Sequence, residues 1–485
     1  MMSPAETRAD SGLTRLLGAG DAAAIMIATM VGVGILTVPG KVVAACGGAA
    51  WALLAWLGGG LVALCGALVH AELGSRYPLA GGDYVYLRRA YGDFPAFISG
   101  WTSFVIGFPG GVALAVWAAA NSGFDALGLM TPPGPWEMIH DPGAALAPSG
   151  RDFWVPAAGL MILAGLSLIH AAGLKWGKRV QNVQVILVLA ALVILAAAAW
   201  FVPGLSPGRW SAIGSNPGGT FWVALAGSGL SIFFSYSGWN ASAYVAGEIR
   251  DPARNLPRAL IGGVILVTAL YVLVNLAYFH LVPLSHMGTR INIGGEVAGQ
   301  IFGAAGARIM SLVEVAVFLS CAGAAIITGP RNCFAMAGDG LFPRALAGLG
   351  RKSRAPVRAM WLQSAVAAGL LLSGTFFDIL NCTIFAILPL AALTTSTVFV
   401  LRRRDRATGD RPPFTAPGGA ATPLVFIGVV ALVEAAVVIT ALIDPDQRLY
   451  PLLGVLLVGS GAPVYWCWRR LSRRRDLGRP VVSGP

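Results

Sequence analysis

Apolar runs of about 20 residues, each long enough to cross a bilayer as a helix, recur from one end of this chain to the other. Twelve such segments are read, at approximately 20–44, 49–72, 94–120, 154–173, 181–202, 219–246, 258–280, 305–330, 356–375, 379–401, 423–443 and 449–468. Only 12% of the residues are charged and 56% are hydrophobic, against about 25% charged in soluble domains. An outer-membrane barrel needs strands of about 10 residues with alternating polarity, and that pattern is absent. The expected fold is therefore an all-α polytopic membrane protein with 12 transmembrane helices. Glycine, at 63 of 485 residues, favours close backbone contact between helices over bulky cores.

Charge supplies the sidedness. Of 34 lysines and arginines, Arg151, Arg209, Arg290, Arg308 and Arg448 lie on or beside odd-numbered connections, and Lys41 lies inside the first segment. The other 28 fall in the termini and the connections of the opposite face. By the positive-inside rule that face is cytoplasmic, which places both termini in the cytoplasm and the chain in the inner membrane. The net charge of +12 has no soluble domain to form a nucleic-acid face. Residues 469–475 form a basic tail that reads as a topology signal or as a contact for anionic membrane lipid. The six cysteines and five histidines make no disulfide framework, no metal-ligand spacing and no cofactor motif. Residues 1–18 contain no apolar signal-peptide core.

Two segments break the apolar pattern. The first carries Met30-Val31-Gly32-Val33-Gly34-Ile35, with two glycines near mid-depth. The sixth carries Phe233-Phe234-Ser235-Tyr236-Ser237-Gly238-Trp239-Asn240. Glycines in a membrane helix serve either close packing against a neighbour or an opening of the helix where it lines a cavity. Interruptions at matching places in two halves are the sequence signature of a midplane binding site. Five segments per half require halves of opposite orientation. The chain then divides into a tail (1–18), a first repeat (19–202), an inverted second repeat (203–401), segments 11 and 12 (402–468) and the basic tail (469–485). Free N–H groups at the start of the second half of segment 1 suit a carboxylate. Free carbonyls where the first half of segment 6 ends suit an ammonium. Two such ends facing each other read the common part of an amino acid, with side-chain choice left to Tyr236, Trp239 and residues of segments 3 and 8.

Several stretches resemble the amino acid–polyamine–organocation superfamily of permeases: GVGILTVPG at 32–40, ELGSRYPLAGGDYVYLRRAYG at 72–92, KRVQNVQ at 178–184, FFSYSGWNASAYVAGEIRDPARNLPRA from 233 with Ser231 before it, and TGPRNCFAMAGDGLFP at 328–343. The resemblance implies the LeuT-type 5+5 inverted repeat with spans 1 and 6 broken, two added C-terminal helices, and rocking of spans 1, 2, 6 and 7 against a scaffold. It implies that N–H groups of Val33, Gly34 and Ile35 take the substrate carboxylate and carbonyls of Met30, Phe234 and Ser237 take the amine. Gly32, Ser235, Tyr236 and Trp239 complete the substrate site, and Phe234 covers it. Glu248 and Arg331 are gate candidates among the charges clustered on the cytoplasmic connections. Glu314 is a coupling candidate, beside Glu434. Lys41 reads as a snorkelling or paired cation.

The chain departs from its relatives in three places. Val33 stands between the glycines, so the span 1 turn offers backbone donors only. The lysine of proton-coupled relatives is absent from segment 5, near Val188. Ser237 replaces an acid found in some relatives, which leaves no evident fixed charge and favours a neutral substrate. The expected activity is amino-acid transport by proton symport or exchange with a counter-substrate, uncoupled from sodium and not enzymatic. A polyamine or organocation transporter, or a sensor with a transporter fold, is the alternative. An embedded enzyme lacks a convergent catalytic cluster, and a channel lacks a continuous polar stripe.

Overall fold

The computed structural model describes residues 12–129, 151–204, 229–287, 293–373, 376–443 and 449–477. Among the described residues nine helices are long and apolar enough to cross a membrane, and two shorter apolar ones, Ala19–Met30 and Val357–Leu372, accompany them. Secondary structure there is helical, apart from one isolated backbone bridge between Leu17 and Ile249. Segment 2 is the helix Ala49–Arg76, segment 7 is Pro252–Leu281 and segment 8 is Gly306–Gly338. Segment 3 runs Asp93–Leu127 and contains a π turn at Ser103–Gly107. Several helices outrun their apolar cores. Segment 5 starts at Leu174 because its basic stretch is already helical, and segment 10 runs on to Thr408. Short helices at Asp83–Tyr91, Leu284–Met287 and Ile293–Phe302 occupy connections that apolar patterning left blank.

Segments 2 and 7 pack against each other along much of their length, as do segments 3 and 8 and segments 4 and 9. Segment 1 lies against segments 5, 7 and 8. Segment 11 rests on segments 2 and 10, and segment 12 on segments 3 and 10. The two final helices keep most of their apolar surface outside the protein, including Leu432, Leu442, Leu452 and Leu456, which is the pattern of a lipid-facing periphery.

The face rich in lysine and arginine is closed by ion pairs. Arg331 of segment 8 donates from Nε and Nη2 to the two carboxylate oxygens of Glu248, at 2.9 and 3.1 Å, and both side chains are at most 2% exposed. The Glu248 carbonyl accepts the N–H groups of Leu16 and Leu17, each at 2.9 Å, and the Arg250 N–H returns to the Leu17 carbonyl at 2.8 Å. The strand-like entry into segment 1 is thereby tied over the end of segment 6. Asp21 gathers the Gly18 N–H, Lys178 and Asn182, which joins segments 1 and 5. Glu72 pairs with Arg402, and Arg76 with Asp405, linking segments 2 and 10. The clustered charges therefore meet across different helices. Asp83 stands apart from them and pairs with His70.

Removing one partner of a buried pair leaves the other charge without compensation. Glu248→Gln should therefore lower unfolding free energy by about 3–5 kcal/mol. The double change Glu248→Leu with Arg331→Met should cost less than that single one. Denaturant midpoints of the detergent-purified variants check both; a double change that costs more than the single one contradicts the pair assignment.

Candidate functional site

The first segment does open. Its first helix, Ala19–Met30, ends at Val31 in extended conformation, and a second helix starts at Val33 and continues through Val38 into Pro39–Cys46. Gly32 sits between them at φ −139° and ψ −147°. In segment 6 a helix reaches 236, a turn covers 237–240, and a short helix, Ala241–Tyr244, follows. Gly238 holds φ +92° in that turn, a conformation that costs a residue with a Cβ.

Open backbone in the middle of a bilayer needs partners; the hydroxyls of Tyr271 and Thr29 supply them at the breaks, and a third, from Ser242, ties the two segments together away from them. Tyr271 of segment 7, fully buried, places its hydroxyl 2.6 Å from the Met30 carbonyl and 2.7 Å from the Ser235 carbonyl. It has one proton and two acceptors, so it serves both breaks by alternation. Thr29 donates to the Gly238 carbonyl at 3.0 Å as well as to Met26. Ser242 donates to the Ala22 carbonyl at 2.6 Å. Sequence reading missed Tyr271, because nothing within segment 7 marks one tyrosine as different from its apolar neighbours.

Between the breaks lies a cavity of about 230 Å³. Met30, Gly32, Val33 and Gly34 line it from segment 1, and Phe234 and Ser237 from segment 6. Segment 3 contributes the π turn through Ser103 and Gly107, together with Phe108 and Ala115, and segment 8 contributes Cys321 and Ala325. Segment 10 also contributes, through Thr383 and Ile387, a wall the sequence did not indicate. The N–H groups of Val33, Gly34 and Ile35 form the first turn of their helix and have no earlier turn to bond. The Phe234 carbonyl accepts the Ser237 N–H at 3.0 Å, and the Met30 carbonyl accepts Tyr271; each oxygen keeps a second lone pair.

Other expected site residues face elsewhere. The Tyr236 hydroxyl donates to the Trp56 carbonyl at 2.9 Å in a fully packed region. Trp239 stacks edge-on against His70, with ring centroids 4.6 Å apart, and against Phe426. Ser235 turns its hydroxyl back to Ser231, and Ile35 is buried. Their side chains do not line the cavity. Glu314 accepts from Ser122 at 2.8 Å across segments 8 and 3 and is also outside the lining. Neither Glu248 nor Arg331 reaches the cavity. The expectation of a site without fixed charge needs correction: Asp83 lines the cavity, held by His70 at 2.9 Å and by Asn240 at 3.1 Å. The turn that aims it inward passes through Gly81 and Gly82, at φ +120° and +52°, and apolar patterning carries no sign of that.

Long apolar helices around a central cavity, entered by two opened helices, define a polytopic membrane transporter. The amino acid permease family matches residues 17–460, and the chain belongs to that family, within the amino acid–polyamine–organocation superfamily. It is similar to the serine/threonine exchanger SteT of Bacillus subtilis, 29% identical over 464 residues that cover 94% of this chain and 97% of the other. It is also similar to the Asc-type amino acid transporter 1 of Mus musculus, 28% identical over 81% of this chain and 72% of the other. The human large neutral amino acids transporter small subunit 2 is 27% identical over 82% of this chain and 73% of the other. The protein is thus a multi-pass membrane transporter of amino acids and not an enzyme.

The two glycines separate packing from binding. A Cβ at Gly34 would lie 2.6 Å from the Ser235 Cα, whereas one at Gly32 would meet only Cys321 Sγ, at 3.7 Å. Gly34→Ala should lower the thermal midpoint of the ligand-free protein. Gly32→Leu should leave that midpoint near wild type and weaken amino-acid binding at least about tenfold, roughly 1.4 kcal/mol. Thermal shift with and without the amino acid reads both, and normal affinity in Gly32→Leu would refute this placement of the site. Tyr271→Phe should cost about 1–3 kcal/mol in the same assay, because a break carbonyl loses its donor.

Proposed function

We propose that this chain is a twelve-span permease of the cytoplasmic membrane that exchanges neutral amino acids by alternating access. The observation that carries the reading is the meeting of two helix breaks across one cavity, with helix-start N–H groups on one side and unsaturated carbonyls on the other. The backbone of Val33, Gly34 and Ile35 would take the carboxylate, and the carbonyls of Met30, Phe234 and Ser237 the ammonium. Recognition by backbone alone suits the part that all amino acids share. Gly32 gives that part access, and Phe234 closes over it.

The inverted repeat is supported by packing order. Segments 2 and 7, 3 and 8, and 4 and 9 lie side by side, each pair five positions apart, as a two-fold axis in the membrane plane would place them. The charge bias of the connections supports cytoplasmic termini. The ion pairs Glu248–Arg331, Glu72–Arg402 and Arg76–Asp405 all lie at that end and would make up a cytoplasmic gate that is shut here. Exchange is favoured over symport through segment 5, where Val188 is buried among apolar neighbours, and one of the relatives named above is itself called an exchanger.

Counterflow in proteoliposomes tests the proposal. Liposomes loaded with unlabelled serine should take up labelled serine, while empty liposomes and liposomes loaded with putrescine should not. Uptake should proceed equally in sodium and in choline buffers. Exchange driven by putrescine would establish the polyamine reading instead. A protein that is thermally stabilised by amino acids yet shows no counterflow would be a sensor, and a strict sodium requirement would overturn the coupling assignment.

A further inference from the structure

His70 is fully buried in segment 2, and both of its ring nitrogens face acceptors. Nδ1 lies 3.1 Å from the Gly66 carbonyl oxygen, which only accepts, and Nε2 lies 2.9 Å from the Asp83 carboxylate. A neutral imidazole has one N–H. If Nδ1 carries it, the Nε2 lone pair faces a carboxylate lone pair. If Nε2 carries it, the Nδ1 lone pair faces a carbonyl. One added proton removes either conflict, by giving an imidazolium beside a carboxylate or a carboxylic acid donating to Nε2. The cluster therefore accommodates one proton more than a neutral histidine beside an ionised aspartate.

Among the described residues named here, the neighbours of the pair are neutral or engaged with other partners. Tyr86 and Trp239 meet the His70 ring edge-on. Asp83 receives Asn240, and the Tyr244 hydroxyl reaches Asp83 and Ser103. The Glu248–Arg331 pair nearby is closed on itself. Arg88 and Tyr84 on the Asp83–Tyr91 helix turn to Asp339 on the far side.

The pair also crosses a seam. Asp83 starts the helix Asp83–Tyr91, which packs on segments 3 and 10. His70 belongs to segment 2, and Asn240 to the break in segment 6. In the alternating-access reading, on which this inference rests, segments 2 and 6 rock against segments 3 and 10. We propose that His70 and Asp83 form a proton-binding site at the cytoplasmic edge of the cavity, and that the bound proton latches the cytoplasmic side shut. Opening separates His70 from Asp83 and exposes both to water, which frees the proton to leave. By linkage, acid favours the closed arrangement and alkali the open one.

The test places a reporter thiol at Ala246, which is buried beside Glu248 in the closed arrangement. Ala246→Cys is made together with Cys467→Ser, which removes an exposed thiol. N-Ethylmaleimide labelling without amino acid is followed by mass spectrometry of the reporter peptide and normalised to the denatured protein at each pH. Across about pH 5 to 8, labelling of the otherwise native protein should rise at least about fivefold. One linked proton allows up to about tenfold per pH unit. His70→Gln should flatten the profile. Asp83→Asn should hold labelling low at every pH, because an amide N–H donates to Nε2 without any added proton. A flat profile with both residues intact would overturn the latch, as would an unchanged slope in both variants. Serine counterflow on the same preparations separates the two readings. Counterflow with a flat profile removes the latch alone, while a pH-dependent profile without counterflow removes the permease reading and leaves the latch.

Discussion

Backbone opened at the middle of a membrane cannot be left to water, and an unpartnered amide in hydrocarbon costs several kcal/mol. The structure answers that constraint with hydroxyls that join segments 1, 6 and 7, of which Tyr271 serves both breaks. Tyr271 touches the carbonyls of Met30 and Ser235, Thr29 reaches Gly238, and Ser242 reaches Ala22. The breaks are thus one polar unit that a single change disturbs on both sides. Its unsatisfied remainder, the first-turn N–H groups of segment 1 and the spare carbonyl lone pairs, is collected around a cavity. A site of this kind is made by leaving selected hydrogen bonds of the fold unfinished.

The glycines show how packing and recognition share a stretch. Gly34 is required by its neighbour, since the Ser235 backbone lies where a Cβ would be. Gly32 stands at the opening and faces the cavity, where a Cβ would meet only Cys321 Sγ. The choice between helix packing and ligand access that the sequence posed for this stretch dissolves, because each glycine answers a different half of it. The close approach at Gly34 also brings the Ser235 carbonyl within reach of Tyr271, so the packing contact positions the polar one.

Much of the architecture was legible because the bilayer simplifies it. Apolar length located the helices, and interrupted apolar runs located both breaks. What patterning could not supply is direction. Tyr236 ends the first helix of segment 6 and Trp239 lies in the turn after it, yet one bonds Trp56 and the other packs on His70 and Phe426. Asp83 belongs by sequence to the charges clustered on the cytoplasmic connections, which suit either a salt-bridge gate or solvated loops, and it lines the cavity owing to a turn through two left-handed glycines. Segment 10 lines the cavity through Thr383 and Ile387, and one threonine in an apolar run is no signal by itself. The connection at 121–153 falls partly in residues 130–150, and segment 6 partly in 219–228, outside the described residues.

The buried charges bear on what this cavity accepts. The carboxylates nearest to it are engaged, Asp83 by His70 and Asn240 and Glu248 by Arg331. A substrate with a second ammonium would have to displace His70 from Asp83 and so break the contact that spans the seam between segment 2 and the Asp83–Tyr91 helix. A neutral side chain makes no such demand. Gly107, Ala115, Ala325 and Ile387 also line the cavity and offer such a side chain no charge. In the proposed reading the arrangement would discriminate against cations less by repulsion than by an existing partner: the acid that could attract them already holds His70 and Asn240.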